Sequence, residues 1–344
     1  MKQMGAGPGV KDIERYQKSP HWSEGKFQNL EFTTMNIKAK DVPSLIYKQF
    51  FTNGGRRPEQ RWQLPEWESQ VTDNNSEGIE YIWFGHSNLL IRNNGKTILI
   101  DPMFGDDAAP ISPFGVLRFS HSIFSVLDKI PQVDLVLISH DHYDHLDYHS
   151  ILKLKSKVKH FFVALGVGRH LIKWGIAPDK IKEFDWWDAV EYDTMEITFT
   201  PSRHFSGRGL TDRAKSLWGG WVIDNGSKKI WFSGDGGYGK HFETIGNKLG
   251  PFDLGFMECG QYNSLWHQIH MYPEEAVVAA IEAGVKKAIP VHWGSFALAM
   301  HHWKEPADRF VEEAQKRNLA FVVPSQGELI KPDSDFREDW WRKF

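Results

Sequence analysis

Between His140 and His149 the chain gathers four histidines and three aspartates into ten residues, directly after the apolar run "LVLIS". Imidazole nitrogens and carboxylate oxygens are the donors that zinc and similar borderline cations accept. A turn just past a strand end aims neighbouring side chains at a common centre. In "HDHYDH", residues 140–145, His140 and His142 are two apart, His142 and Asp144 are two apart, and His145 follows at once. One loop with that spacing can serve two different cations. Four ligands cannot complete two sites, so others must come from elsewhere in the chain.

Three candidates share the same local context. His204 follows "ITFTPSR", Asp235 follows "KKIWFSG" and His292 follows "KKAIPV". Each lies at or just beyond an apolar strand, and in α/β sheets the chemistry collects at one end of the strands. A lone histidine is usually a surface or core residue, and Asp235 between glycines also reads as a turn aspartate. Four strand-end groups together argue for ligands. Bound histidines usually pass their second N–H to a carboxylate or carbonyl. Asp101, closing "TILID", and His86, in "FGHSN", are candidates for such support; a plain strand-end turn is the alternative for each.

Substrate contacts are less sharply marked. Arg118 and Arg203 suit a bidentate grip on phosphate, although a surface ion pair is the commoner fate of an arginine. Tyr262, directly before "NSLWHQIHMY", and Trp266, within it, are candidate pocket walls. The Phe-rich stretch "PISPFGVLRFSHSIFSVL", residues 110–127, reads either as a groove for acyl chains or as an amphipathic packing segment. "LWGGW" reads as strand packing. His301 and His302 read as structural or surface residues, and His121, His149, His160 and His170 receive no role.

The elements that must position these groups follow from the patterning. "EYIWFGHSNLLIRNNGKTILIDPMF" predicts three strands with turns at Gly85 and at Asn93-Asn94-Gly95. "QVDLVLISH", "HFFVALG", "MEITFTPS", "GGWVIDNGSKKIWFSGD", "FDLGFMEC", "VKKAIPVHWG" and "AFVVPSQGE" add strands, with a hairpin turn at Asn225-Gly226. Helices are predicted at "VPSLIYKQFF", "HSILKLKSK", "GRHLIKWGI", "YPEEAVVAAIEAG" and "PADRFVEEAQKRN". The fourth carries Pro273 at its start, acids in its first turn and Gly284 at its end. Hairpins first, then strands alternating with helices, imply mixed sheets covered by helices. Residues 1–75 are polar, Gly- and Pro-punctuated and weakly periodic. They read as an extended segment laid over a core domain of residues 76–344.

The composition fits this architecture. The 344 residues are 41% apolar and 25% charged, with a net charge of -3, so nothing draws the chain to nucleic acid or to an anionic surface in bulk. A single cysteine, Cys259, excludes an intrachain disulfide and a cysteine-rich zinc site. No apolar run approaches a membrane span, and the N-terminus lacks a signal-peptide core. The expected location is cytoplasmic, with at most peripheral membrane contact. Fifteen Trp and 23 Phe exceed what a minimal core needs, so some are candidates for a greasy pocket or an oligomer contact.

The H-x-H-x-D-H signature at 140–145, with His204, Asp235 and His292, resembles the metallo-β-lactamase fold superfamily over about residues 80–330. Within it, the chain resembles N-acylphosphatidylethanolamine-hydrolysing phospholipase D and its bacterial relatives. The stretches that carry this are "GHSNLLI", "ILIDPMF", "VLISHDHYDHLDY", "FTPSRHF", "LWGGWVI", "FSGDGGY", "GPFDLGFMECGQY", "MYPEEAV" and "VHWGSFALA". The chain departs from the pattern at Gly236, where the family usually has Thr. The resemblance implies an αβ/βα four-layer sandwich: two mixed β-sheets with helices on the outer faces. It implies two divalent metals, Zn2+ first and Mn2+ or Fe as alternatives. His140, His142 and His204 would hold one metal, Asp144, His145 and His292 the other, and Asp235 would bridge them. A carboxylate has two oxygens and can span two cations, which an imidazole normally cannot. His270, before the helix at Pro273, would contact phosphate or the leaving group.

The function this implies is a binuclear phosphodiesterase of phospholipase D type. A metal-bridging hydroxide would attack the phosphorus of an N-acylphosphatidylethanolamine-like lipid or a small phosphodiester. Cys259 is then not needed as a nucleophile. A homodimer is a further expectation from the resemblance. The alternatives are a lactonase or other carbonyl hydrolase on the same metal site, similar to the ascorbate-phosphate lactonases, and a non-catalytic metal-binding scaffold.

Overall fold

In a computed structural model the protein is described at residues 2–65, 78–109, 115–331 and 339–344. The chain opens with helix α1 (Val10–Tyr16), a minimal hairpin of β1 (Trp22–Ser23) and β2 (Lys26–Phe27), and helix α2 (Val42–Phe51). The first large sheet is then built in chain order. It comprises β3 (Ile79–Trp83), β4 (Leu89–Asn93), β5 (Lys96–Ile100), β6 (Val133–Ile138), β7 (Val158–Ala164) and β8 (Ile181–Phe184). Between its later strands lie α3 (Val126–Lys129), α4 (Tyr148–Leu154) and α5 (Gly168–Lys173). The second sheet comprises β9 (Ala189–Tyr192), β10 (Met195–Pro201), β11 (Gly219–Asp224), β12 (Lys229–Phe232), β13 (Phe252–Glu258), β14 (Val285–Val291) and β15 (Ala320–Phe321). Helices α6 (His241–Leu249), α7 (Pro273–Glu282) and α8 (Glu305–Lys316) punctuate it. Strand β16 (Leu329–Ile330) then crosses back to β3, completing seven strands in each sheet.

The two sheets share one pattern. In the first, β16, β3, β4 and β5 pair antiparallel, and β5 to β8 pair parallel. In the second, β9 to β12 pair antiparallel, and β12 to β15 pair parallel. The parallel strands are buried and therefore read as continuous apolar runs, as in "VDLVLI" of β6. The sheets meet face to face through one core, in which Tyr81 packs on Phe256 and Trp83 on Trp293. Helix α7 packs on β13 and β14 outside the second sheet, and α5 packs against β8 of the first. This is the αβ/βα sandwich of two mixed sheets.

Direction now decides where chemistry can occur. Strands β3 and β5 are both antiparallel to β4, so they point the same way, and β6 is parallel to β5. Strands β10 and β12 share a direction for the same reason, and β13 and β14 follow β12. In each sheet these C-terminal ends line one edge, and every candidate ligand follows one of them.

Several sequence expectations need correction. The strand expected at "AFVVPSQGE" is only two residues long, and the last strand is β16 in the other sheet. Helix α6 and strands β8 and β9 were not signalled, since "HFETIGNKL" lies among glycines and "IKEF" and "AVEY" carry charges on half-exposed edges. The described residues of the N-terminal 65 run along the body. They are anchored by buried Tyr16, Phe27, Trp62 and Leu64 and by backbone bonds such as Phe27 N to Ala214 O. Part of "PEQRWQLPEWESQ" lies outside the described residues, as do positions 110–114 of the expected acyl groove. The rest of that stretch is packing: Val116, Phe119, Ile123 and Leu127 are buried.

Candidate metal centre

The loop after β6 is held open as a ligand cradle by its flanks. Asp147 caps α4, accepting from the backbone of His149 and Ser150, which stops the loop right after its ligands. Asp141, within "HDHYDH", turns away from the other acids. It is fully buried, accepts from Gly207 N at 2.7 Å, meets His170 Nε2 at 3.1 Å and accepts from the Ser216 hydroxyl. Asp141 thus fastens the loop to the second half of the molecule through Gly207 and Ser216, and to α5 of the first half through His170. That is a role the sequence reading had not given His170.

On one side of the cleft three imidazoles converge. His140 Nε2 lies 2.8 Å from His142 Nδ1, and His204 Nε2 lies 3.2 Å from the same atom. Two of the three tautomers are set by their outer bonds. His204 Nδ1–H donates to the Ile269 carbonyl at 2.9 Å, so Nε2 presents its lone pair inward. Ser139 Oγ donates to Asp101 and therefore accepts from His140 Nδ1–H, again leaving Nε2 as an inward lone pair. Burial and the neighbouring imidazoles keep His140 neutral, well below its ordinary pKa, and burial lowers His142 to about 4. Lone pairs aimed at one point are a donor set for a cation.

On the other side His145, His292 and Asp144 gather with His86. His145 Nδ1–H donates to Asp101 at 2.7 Å, so its Nε2 faces Asp235 Oδ2 at 3.0 Å. His292 Nε2 lies 2.9 Å from the same oxygen. Asp144 Oδ2 is 3.5 Å from both His145 Nε2 and His292 Nε2. His145 Nε2, His292 Nε2 and Asp235 Oδ1 are buried and make no hydrogen bond. An imidazole lone pair facing a carboxylate oxygen needs positive charge between them, which a divalent cation supplies. Asp235 Oδ2 is the common point, also 3.9 Å from His140 Nε2 and 4.0 Å from His204 Nε2. Burial alone would raise the Asp235 pKa; positive charge on the His145 and His292 side, carried by these imidazoles only when they are protonated, outweighs it and holds the carboxyl well below its usual range. The residues fit two cations with Asp235 between them.

Support residues complete the frame. Asp101 accepts from Ser139 N, Ser139 Oγ and His145, joining β5 to the β6 loop. His86 Nε2 meets Asp144 Oδ2 at 2.8 Å, and burial, then His292, lowers its pKa to about 3. His86 and His292 both have positive φ, 53° and 65°, which bulky residues rarely adopt. Reciprocal backbone bonds, His86 N to Trp293 O and His292 N to His86 O, hold the two turns against each other.

Glu258, the last residue of β13, was missed. It is buried and accepts from the Gly236 amide through Oε2 at 2.7 Å. Oε1 takes the Nδ1 of His270 and lies 3.5 Å from His292 Nδ1. The signal was present: an acid closing the apolar strand "FDLGFME" sits where the other site residues sit.

The cleft beside these groups is a cavity of about 210 Å3, lined in part by His142, Asp144, Asp235, Trp266, His270 and His292. Other expectations fail here. Arg118 is buried away from it, donating to the carbonyls of Met103, Gly105 and Phe84. Arg203 donates to Thr33 Oγ1 and to the Phe32 and Tyr238 carbonyls, so it pins the N-terminal segment rather than a phosphate. Tyr262 donates to Glu305 at 2.7 Å and is buried outside the cleft. Hydrogen bonds inside the fold explain each correction, to neutral oxygens for the two arginines and to Glu305 for Tyr262, since a guanidinium or phenol satisfied there is not free for substrate. Cys259 is buried and burial raises its thiol pKa, consistent with no nucleophilic role.

Comparison with known proteins identifies the family of the fold. The profile of the Beta-lactamase superfamily domain matches residues 96–293, a span that contains every candidate ligand. An uncharacterized protein of Mycobacterium tuberculosis is 36% identical over 332 residues, covering 95% of this chain and 88% of its own. The N-acyl-phosphatidylethanolamine-hydrolyzing phospholipase D 1 of Caenorhabditis elegans is 31% identical over 285 residues, 77% of this chain and 80% of that one. A metallo hydrolase from Ignicoccus hospitalis shares the fold at a TM-score of 0.56 and 22% identity, over 73% of this chain and 97% of that one. The chain belongs to the metallo-β-lactamase superfamily and is a metal-dependent hydrolase of that class. No helix among the described residues is long and apolar enough to cross a membrane.

Proposed function

We propose that the protein is a binuclear phosphodiesterase of phospholipase D type, acting on N-acylphosphatidylethanolamine-like lipids. The observation that carries this reading is the placement of Asp235 Oδ2 between the His140–His142–His204 set and the Asp144–His145–His292 set. When bound, two divalent cations, with zinc the first choice for this donor set, supply Lewis-acid stabilisation of phosphate charge and an acidified water. The remaining work falls to the chain. Glu258 fixes His270 through Nδ1, so Nε2 faces the cleft and can hydrogen-bond a phosphate oxygen or the leaving alkoxide. Trp266 and Ile269 wall the cleft with apolar surface. The relative from Caenorhabditis elegans supports this substrate class.

A lipid substrate is further supported by α2. It exposes Val42, Ile46, Tyr47 and Phe51 beside the exposed Lys38, Lys40 and Lys48, a composition suited to peripheral contact with a membrane. The test is a panel assay on metal-counted protein offering N-acylphosphatidylethanolamine, a simple phosphodiester and a lactone. Phosphodiester cleavage with about two metals per chain is expected. Lactone turnover alone would leave the site standing and overturn the reaction.

A further inference from the structure

With Arg118 and Arg203 committed to the fold, the cations that remain near the cleft are of interest. A second cavity, of about 260 Å3, adjoins the metal cleft and shares Met35, Phe205 and Ile269 with it as a common wall. Two cationic residues, Lys26 and Arg213, line this lobe. The Arg213 guanidinium lies 3.9 Å from the Phe205 ring centre, and Phe205 packs edge-on to the ligand His142 at 4.6 Å. The stack Arg213–Phe205–His142 therefore fixes this guanidinium beside the metal ligands. Among the described residues, neither Arg213 nor Lys26 makes a side-chain hydrogen bond or ion pair. Burial lowers the Arg213 pKa with no acidic group acting against it. A guanidinium that is solvent-exposed yet held in place on Phe205, with no anion on the protein, is free to receive one from elsewhere.

We propose that this lobe is an anion subsite in which Arg213, with Lys26, receives a second anionic group carried by the substrate beyond the phosphate held at the metal cleft. This rests on the reading that the cleft binds a phosphate ester. The group is a carboxylate or phosphate, which the guanidinium fork can take in bidentate fashion. Among N-acylphosphatidylethanolamine-like phosphodiesters the subsite favours those whose alcohol side also bears such a charge, without being required for cleavage of those that lack it. A carboxylated headgroup on a lipid and a soluble phosphate ester with a carboxylate share this chemistry.

The test is calorimetric binding to the metal-containing protein, which needs no turnover. The probes are glycerol 3-phosphate, with a phosphate alone, and 3-phosphoglycerate, with a phosphate and a carboxylate. Wild type is expected to favour 3-phosphoglycerate by about 5-fold or more, the upper range for a solvent-accessible ion pair. Arg213→Met, which keeps the stem on Phe205, should reduce that preference to within about twofold. Arg213→Lys should restore part of it, and Lys11→Met, a charge lost elsewhere, should leave it intact. Metal content should be the same in all four proteins. Equal affinities in wild type, binding of neither probe, or a preference that survives in the Lys26→Met/Arg213→Met double variant would overturn the subsite.

Phosphatidylcholine vesicles with and without phosphatidylserine, added as competitors, separate the sources. Displacement of 3-phosphoglycerate by phosphatidylserine alone supports the subsite as a headgroup site. Displacement by neither, with the Arg213-dependent preference intact, supports it for a soluble ester. A protein that shows the preference yet cleaves no phosphodiester keeps the subsite and loses the proposed reaction. One that cleaves phosphodiesters without the preference does the reverse.

Discussion

The two halves of the sandwich are built alike but furnish the site differently. The first sheet delivers His140, His142, Asp144 and His145 from one loop after β6, with Asp101 and His86 from the ends of β5 and β3 behind them. The second sheet delivers one residue per strand: His204 after β10, Asp235 after β12, Glu258 closing β13 and His292 after β14. The same succession of antiparallel then parallel strands lies under both. Strand direction thus fixes the edge at which ligands can appear. Composition rather than loop length then decides how many ligands a turn carries: residues 139–147 after β6 hold four, whereas the longer stretch 202–218 after β10 contributes His204.

The sharpest way to break this comparison is at the residue where the halves meet. Asp235→Asn keeps the shape but removes the charge between His145 and His292. Turnover should fall by about 10²–10³-fold, with metal lost from the protein as read by elemental analysis. Full metal content with unchanged rate would place the shared oxygen elsewhere.

The comparison sharpens at the two orienting acids, Asp101 in the first half and Glu258 in the second. Asp101→Asn and Glu258→Gln should each weaken metal affinity or activity by about 10–100-fold. Asp101 contacts His145, whereas Glu258 reaches both His270 and His292. Glu258→Gln should therefore lower kcat more than Asp101→Asn does at saturating metal. Chelator titrations and steady-state kinetics separate the two effects, and identical profiles would remove the distinction.

These contrasts also explain what the sequence disclosed. The β6 loop was legible because its ligands are close in sequence and follow a continuous apolar strand. His204, Asp235 and His292 were legible by context, each closing an apolar run. Glu258 was not, because a single acid at a strand end also reads as an ordinary boundary. Only the fold shows that its carboxylate turns back onto two imidazoles. Arg118 and Arg203 misled for the converse reason: a guanidinium's partners are backbone carbonyls far away in sequence, which no local pattern reveals. Strands β8 and β9 escaped because edge elements with alternating charge carry little apolar periodicity, and helix α6 escaped because glycines within and around it obscure Phe242, Ile245 and Leu249 at helical spacing.

A third prediction concerns stability. Arg118→Met strands the buried carbonyls of Met103 and Gly105, which joins the cleft-side turns of the first sheet. Unfolding free energy should drop by about 2–4 kcal/mol in a denaturant titration, with metal stoichiometry retained. A loss of substrate affinity with no loss of stability would restore Arg118 to a binding role.

The smallest effect is expected at Tyr262→Phe, which removes one hydrogen bond to Glu305 beside Arg309 in the second half. Stability should fall by about 1 kcal/mol, and kcat/KM should stay within about twofold. A larger kinetic change would extend the cleft to Tyr262.

The most direct test of the central claim is isotopic. Metal-loaded protein is given N-acylphosphatidylethanolamine in water enriched in oxygen-18, and the products are read by mass spectrometry. Attack at phosphorus places one label in the phosphatidic acid and none in the N-acylethanolamine. Label in a released fatty acid, or in the N-acylethanolamine, would show that the bond broken is not the one this site was assigned to break.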